Sequence, residues 1–199
     1  MARNFVASAF VSACVLGTAY GFSAPAYGLD ADMLKVMRMH PGPGTGQGAA
    51  PYVTIPRQIV NYSGPYAVGT VVVQSSERRL YLVMPDHKAM KYGVGVGRPG
   101  FAWSGTVHIA AKKKWPGWTP PASMLRRRPH LPHFVKGGPN NPLGARAMYL
   151  SGTEYRIHGS NEPETIGHAM SSGCIRMTNA DIKDFYNRVK VGAVVHVLR

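Results

Sequence analysis

A histidine and a cysteine sixteen positions apart are the residues of this chain best suited to covalent chemistry. His158 ends a predicted strand, and Cys174 follows it after a loop. Nucleophilic cysteine chemistry needs a thiolate, which forms when an imidazole takes the thiol proton or when positive surroundings lower the thiol pKa. Gly173 would let the backbone turn tightly before Cys174, so that amide N–H groups of the turn could bind a developing oxyanion. The pattern predicts a site in which Cys174 is the nucleophile and His158 its base.

Other interpretations of these residues are open from the sequence. A lone cysteine is often a buried small hydrophobic residue. His168, six positions before Cys174, competes with His158 as the base, although it is expected to be a loop side chain. The spacing of His158, His168 and Cys174 matches no familiar zinc pattern, so no metal site is expected. Arg176 would lie on the same side as Cys174 in an extended segment, where it could hold a substrate carboxylate.

The elements that must position these residues are predicted to be mostly strands. Alternating β-branched, aromatic and polar residues separated by short turns are typical of a β-meander. The predicted strands are 68–73, 80–84, 90–96, 106–111, 145–150, 154–158 and 194–198. One helix is expected after Cys174, because Thr178 with Asp181 resembles a capping box and Gly192 supplies a stop. Its apolar stripe comprises Ile182, Phe185, Tyr186 and Val189.

The composition limits the class of protein. The chain has 199 residues, of which 45% are hydrophobic and 16% charged, and this excludes a disordered polyampholyte and a polytopic membrane protein. The 23 Lys and Arg against 9 Asp and Glu give a formal net charge of +14, which favours attraction to polyanions or carboxylate-rich surfaces. Only two cysteines are present, so a disulfide scaffold is excluded.

The first 26 residues have the layout of a secretory signal peptide. Arg3 precedes a mostly apolar run, and the small residues 24–26 supply a cleavage point. An uncleaved membrane anchor and a lipoprotein-type cleavage at Cys14 are the alternatives. Export to the periplasm or cell envelope would leave Cys174 as the single cysteine of the mature chain.

Two segments rich in Pro and Gly are predicted to be irregular. Residues 27–65 are expected to form an arm or linker. Residues 112–144 form a long excursion, and loops of that length are often functional or mobile. Trp115 and Trp118 in this excursion would form either a lid over the site or a packed hydrophobic corner. Its basic runs favour anionic envelope polymers as partners, because nucleic acid is a poor candidate for an exported protein.

The region around Cys174 resembles the catalytic domain of L,D-transpeptidases, the YkuD-like family of bacterial cell-wall enzymes. The resemblance covers roughly residues 66–199 and implies a catalytic domain there, with a mainly β sandwich or meander and one helix after the cysteine. It also implies that Cys174 is the nucleophile and His158 the general base. The residues that carry it are 157–159, 172–177 with Asn179 and Asp181, and 141–147.

The same resemblance implies that Gly173 with Cys174 forms part of the oxyanion site. The further candidates for oxyanion and substrate-binding roles are Ser172, Gly159, Arg176 and Tyr155. Many family members have a histidine immediately before the Gly-Cys pair, where this chain has Ser172. The difference affects secondary hydrogen bonding rather than the reaction itself.

The resemblance implies a cofactor-independent acyl transfer. The Cys174 thiolate would attack the third residue of a peptidoglycan stem peptide, release D-alanine and pass the acyl group to an amine of a second stem. Water as acceptor would give an L,D-carboxypeptidase, and an outer-membrane protein as acceptor would be attached to the wall. A non-catalytic wall-binding protein is the alternative of a different class. Carbapenem β-lactams are expected inhibitors.

Overall fold

Strands account for most of the regular structure in residues 55–199, which are the residues that the computed structural model describes. The strands are β1 (Gln58–Asn61), β2 (Val71–Gln74), β3 (Arg79–Met84), β4 (Lys88–Gly93), β5 (Val96–Gly97), β6 (Gly105–Lys114), β7 (Arg146–Leu150), β8 (Arg156–His158), β9 (Ala169–Ser171), β10 (Ile175–Arg176) and β11 (Val194–Leu198). Nine of them form one sheet in the order β1-β4-β3-β2-β11-β6-β7-β8-β10, and β5 pairs with β9.

The long strand β6 connects the two halves of the large sheet. Its first half pairs antiparallel with β11, and its second half pairs antiparallel with β7. The register shifts between Ile109 and Ala111, and a bulge of this kind bends a strand and increases its twist. The sheet therefore curls at β6, and β7, β8 and β10 follow on the far side of the bend.

Helix α1 (Ala122–Arg127) lies between β6 and β7, and helix α2 (Asn179–Arg188) follows β10. Thr178 caps α2, since its side chain accepts a hydrogen bond from the Asp181 N–H at 3.1 Å. Ile182 and Phe185 are fully buried, and Phe185 meets the ring of Tyr92 edge-on at 5.6 Å. Burial of a large apolar side chain contributes about 1.5–3 kcal/mol, so these residues fix α2 against the sheet.

The structure confirms the mainly β fold and the helix after Cys174, with three differences from the sequence prediction. Residues 58–61 fall in the predicted arm, yet they form β1 and pair with β4. The predicted excursion begins too early, because β6 continues through Lys114. It also contains the short helix α1, which was not predicted because the segment is rich in Pro and Arg.

Two predictions concern residues outside the described part of the chain. The signal peptide at 1–26 and the arm over 27–54 lie there. Within residues 55–199, no helix is both long enough and apolar enough to cross a membrane.

Candidate active site

Pairing of β8 with β10 brings the two chemically reactive residues to one face of the sheet. The strands run parallel, with Ile175 opposite Ile157 and Arg176 opposite His158. Both isoleucines are buried in the core. Side chains alternate along a strand, so His158 and Arg176, together with Cys174 just before β10, face away from the core. They line the same cavity.

This cavity has a volume of about 360 Å³, which places it within the size range of ligand sites. One side is formed by the ends of β8 and β10. The opposite side is formed by the segment 115–145, which connects β6 to β7 and contains α1. Residues of that segment in the cavity include Trp118, Pro121, Met124 and Leu131. The cavity can therefore accept part of an extended peptide.

His158 is held as a neutral base. Its Nδ1 contacts the carbonyl oxygen of Gly159, and since a carbonyl only accepts hydrogen bonds, Nδ1 carries the proton and Nε2 is free to accept one. Burial, together with the positive charge of Arg176, lowers the pKa of His158 to about 3. The imidazole is therefore unprotonated at neutral pH and able to take a proton from a thiol.

Cys174 is a neutral thiol in the free protein. Burial raises the pKa of Cys174, whereas hydrogen bonds from Arg156 and the positive charges of Arg156 and Arg176 act in the opposite direction. The sequence suggested that positive surroundings could lower this pKa, and here burial outweighs them. A thiolate must therefore be produced during the reaction, by transfer of the proton to a base.

An aromatic pair fixes the turn before Cys174. Gly173 has φ +106, and a Cβ there would lie 2.3 Å from Cε1 of Tyr155, so glycine is required for both conformation and space. The Tyr155 ring stacks on Trp103 with centroids 5.0 Å apart. Trp103 Nε1 donates a hydrogen bond to the Gly173 carbonyl at 2.8 Å. Tyr155 is thus a positioning residue for the nucleophile.

The amide of Gly173 takes part in a hydrogen bond within the turn, and its predicted oxyanion role stays a prediction. Its N–H donates to Ser171 Oγ at 3.2 Å. The Ser171 hydroxyl in turn donates to the Cys174 carbonyl at 2.6 Å. The Ser171 side chain therefore closes the turn with two hydrogen bonds. Gly173 supplies the positive-φ backbone conformation of the turn, and its N–H group is hydrogen-bonded in the free protein.

Asn179, the first residue of α2, holds the loop that follows His158. Its Oδ1 accepts from the Ala145 N–H at 2.8 Å, and its Nδ2 donates to the Ser160 carbonyl at 2.9 Å. A Cβ on Gly159 would lie 2.4 Å from Asn179 Oδ1. Gly159 therefore packs against α2 and orients the imidazole through its carbonyl.

The remaining predicted residues divide between the cavity and its surroundings. Arg176 lines the cavity and forms a 3.0 Å ion pair with Glu162, whose side chain is half-exposed; its role toward a substrate stays a prediction. Ser172 also lines the cavity and accepts a hydrogen bond from Arg98 Nη1 at 3.1 Å. His168 is exposed and does not line the cavity, in agreement with its expected place in a loop.

The two candidate lid residues have different environments. Trp118 lines the cavity, and its backbone pairs with Val135. Trp115 is exposed and lies outside the cavity lining. Within residues 55–199, no group of three His, Cys, Asp or Glu side chains is placed to hold a metal ion.

Sequence reasoning missed several residues that shape this site, among them Trp103, Ser171, Arg156 and Arg98. Trp103 is seventy positions from Gly173, and no local spacing connects the two. Ser171 lies within the catalytic segment, but its role depends on the turn geometry. Arg98 could have been noticed only as one of many basic residues.

The amino-acid sequence is similar to one family of known proteins. Residues 69–197 match the model of the YkuD family, described as the L,D-transpeptidase catalytic domain. The Escherichia coli K12 protein named "Probable L,D-transpeptidase ErfK/SrfK" is 38% identical over 156 residues, covering 73% of this chain and 48% of that protein. The chain thus spans about half the length of the curated relatives it matches.

Two solved structures have the same fold. L,D-transpeptidase 3 from Mycobacterium tuberculosis, solved with a faropenem-derived adduct, has a TM-score of 0.52 at 15% identity and covers 65% of this chain and 60% of its own. A Brucella melitensis protein described as a "Probable carnitine operon oxidoreductase caia" has a TM-score of 0.50 at 43% identity, with 72% and 94% covered. The latter description applies to the Brucella protein alone.

Proposed function

Since the chain belongs to the L,D-transpeptidase catalytic-domain (YkuD) family, we propose that it is an acyltransferase that cross-links peptidoglycan stem peptides through a thioester on Cys174. The observation that carries this proposal is the placement of Cys174 and a neutral His158 on one face of two paired strands, within one cavity. If Cys174 were only a buried structural residue, a neutral imidazole and a cavity of ligand size at the same face would not be expected.

In the first step, His158 Nε2 takes the proton of the Cys174 thiol while sulfur attacks the carbonyl carbon of the third stem residue. A C–S bond forms, and the carbonyl oxygen becomes an oxyanion, for which we propose the Cys174 N–H as a donor. The C–N bond to D-alanine then breaks, and the imidazolium returns its proton to the departing amine. The positively charged imidazolium is short-lived in this buried site, which favours rapid proton return.

In the second step, a side-chain amine of another stem attacks the thioester. His158 removes the amine proton, an amide bond forms between two third-position residues, and the thiol is regenerated. Trp118 and other residues of the segment 115–145 line the cavity, and their apolar groups would limit access of water to the thioester. This arrangement favours an amine acceptor over hydrolysis.

The molecule that accepts the acyl group from the thioester distinguishes the proposed transpeptidase from two other enzymes with the same first step. Water would make the protein an L,D-carboxypeptidase, and an amine of an outer-membrane protein would make it an attachment enzyme. All three share the thioester. Because β-lactams acylate nucleophiles that act on peptide carbonyls, we propose carbapenems as inhibitors, a proposal supported by the faropenem adduct in the related fold. We place the protein in the periplasm or cell envelope, on the basis of the leader-like residues 1–26.

Incubation with a diaminopimelate-containing tetrapeptide tests the proposal, with product masses as the readout. Cross-linked dimer with release of D-alanine is the expected product, and Cys174→Ala should yield none. Tripeptide without dimer would replace the transpeptidase by the carboxypeptidase. Unchanged tetrapeptide that binds the folded protein would favour the non-catalytic wall-binding alternative.

A further inference from the structure

Five arginines line the cavity, and four of them, Arg98, Arg127, Arg128 and Arg156, form no ion pair among the described residues. Arg156 belongs to β8 and is hydrogen-bonded to Cys174, which sets it apart from the other three. Two glutamates, Glu154 and Glu162, also line the cavity, and Glu162 is already paired with Arg176. We call Arg98, Arg127 and Arg128 the arginine cluster. It contributes to a net positive charge near Cys174, since five arginines and two glutamates line the cavity.

The arginine cluster is assembled from two elements that meet at one aromatic ring. Arg98 comes from the turn after β5, and Arg127 and Arg128 come from α1 and its end. The guanidinium carbons of Arg98 and Arg127 lie 4.2 Å and 5.2 Å from the centroid of the Phe101 ring. Stacking on the ring offsets part of the repulsion between the two charges, while their N–H groups remain available to an anion.

Electrostatics within the cluster also point to an anion. Burial, with the nearby charges of Arg127, Arg128 and Arg176, lowers the pKa of Arg98. Arg98 is half-buried, Arg127 and Arg128 are exposed, and positive charges held together at one cavity raise the local potential. A carboxylate is the fragment that fits two planar guanidinium groups best, because each can donate two parallel N–H bonds to it.

The position of Arg98 defines where such a carboxylate would lie. Arg98 Nη1 donates to Ser172 Oγ at 3.1 Å, and Ser172 is two residues before the nucleophile. In a peptide, a carboxylate one residue after the scissile carbonyl lies about 4 Å from that carbonyl. A hydrogen bond of about 3 Å adds to this reach, and Arg98 is the member of the cluster that contacts the segment carrying Cys174.

We propose that Arg98 and Arg127 form a carboxylate clamp that selects donor peptides ending in a free carboxylate one residue after the scissile bond. The identity of the ligand rests on the proposed function. The clamp assigns specificity for the donor peptide to α1 and to the turn after β5, which lie outside the segment that carries Cys174 and His158. Binding of the carboxylate would join α1 to that turn and close the cavity over the donor.

Binding measured without turnover tests the clamp directly. In a Cys174→Ala background, calorimetry compares the tetrapeptide L-Ala-γ-D-Glu-diaminopimelate-D-Ala with the same peptide amidated at its C-terminus. We expect the acid to bind about 10- to 100-fold more tightly than the amide, as charge-assisted hydrogen bonds would give. Arg98→Gln and Arg127→Gln should each remove most of this preference by weakening binding of the acid alone.

Arg126→Gln is the matched control, because Arg126 lies on the same helix but is exposed and outside the cavity lining. It should leave the preference unchanged. Arg98→Ala and Arg127→Ala, checked for native melting, repeat the test with the side chains truncated. The clamp would be overturned if acid and amide bound equally, or if neither bound. It would also be overturned if the clamp variants weakened binding of both peptides equally, or if Arg126→Gln lost the preference in the same way.

The clamp and the proposed function can fail separately. Turnover of the tetrapeptide by the unmodified protein, without an acid preference in the binding experiment, would remove the clamp and leave the function. An acid preference that depends on Arg98 and Arg127, without turnover, would support the clamp and remove the transpeptidase.

Discussion

At the scale of single residues, the site is built from two neutral groups whose ionisation burial suppresses. Burial raises the pKa of the Cys174 thiol and lowers that of the His158 imidazole. Both shifts disfavour the charged thiolate and imidazolium, so the free site is uncharged at these two positions. Proton transfer is thereby coupled to substrate attack rather than completed in advance.

A pH profile follows from the lowered pKa of His158, which is about 3 against an ordinary value near 6.5. The imidazole stays unprotonated as pH falls through 6, so it can still accept the thiol proton. We expect the rate of acylation by a carbapenem to change by less than about twofold between pH 7 and pH 5. A fall of about tenfold per pH unit below 6.5 would contradict this account.

Arg176→Gln is the companion variant for that profile. The positive charge of Arg176 helps to lower the pKa of His158, so its removal should raise that pKa. The acid end of the rate profile should then move to higher pH. Stopped-flow or mass measurements of acylation at a series of pH values provide the readout.

Gly173 is the second residue whose replacement has a defined outcome. Alanine there would meet the Tyr155 ring at 2.3 Å with φ +106, so Cys174 must shift. A displacement of about 1 Å at a reacting group can cost about 10²-fold in rate, and we expect a loss of this order in acylation. Gly152→Ala is the control, since Gly152 also has positive φ (+68) but has no neighbour within 4 Å of such a Cβ.

The combination Gly173→Ala with Tyr155→Ala separates the two causes of the effect. Removal of the ring removes the collision but leaves the backbone strain. Partial recovery of acylation would support the steric account, whereas no recovery would assign the loss to the backbone or to Tyr155 itself. Recovery is measured relative to Tyr155→Ala alone.

At the scale of elements, α2 links the fold to the site. Its first residue, Asn179, holds the loops around Gly144 and Gly159, and its last turn is capped by Lys112 of β6. Lys112 Nζ donates to the carbonyls of Tyr186 and Val189 at 2.5 Å and 2.7 Å. One residue of the basic run 112–114 is therefore a helix cap rather than part of a polymer-binding face.

Lys112→Met should reveal this role. It keeps an unbranched apolar stem but removes both hydrogen bonds and the positive charge at the helix C-terminus. We expect the free energy of unfolding to fall by about 1–2 kcal/mol, as measured by urea denaturation. Lys113→Met, at an exposed neighbouring position, should change it by less than about 0.5 kcal/mol. Equal effects of the two variants would contradict the cap.

The same elements show what sequence can predict. Alternation predicted most strands, and the apolar stripe with Thr178 predicted α2, because both patterns are local. β1, β10 and α1 are short, and their existence depends on partners far along the chain. Residue types and spacing predicted that Cys174 and His158 share one site, and they line one cavity; their catalytic roles stay a proposal. Trp103 and Arg98 approach that cavity only through tertiary folding.

At the scale of the whole molecule, the net charge of +14 favours long-range attraction to polyanions, and for the proposed location in the cell envelope we propose its anionic polymers as the partner. Screening shortens the reach of surface charges from about 10 Å at 0.1 M salt to about 3 Å at 1 M. We expect binding of the Cys174→Ala protein to purified cell-wall sacculi to weaken at least about tenfold over this range. Pull-down at several salt concentrations measures it, and salt-independent binding would contradict a charge-driven association.

The central claim is that Cys174 forms a covalent acyl bond. Intact-mass measurement after incubation with a carbapenem tests it most directly, followed by fragmentation to locate the adduct. The account predicts one adduct per chain on Cys174, none in Cys174→Ala, and much slower labelling in His158→Ala. A folded protein whose mass stays unchanged, or an adduct that persists in Cys174→Ala, would contradict it.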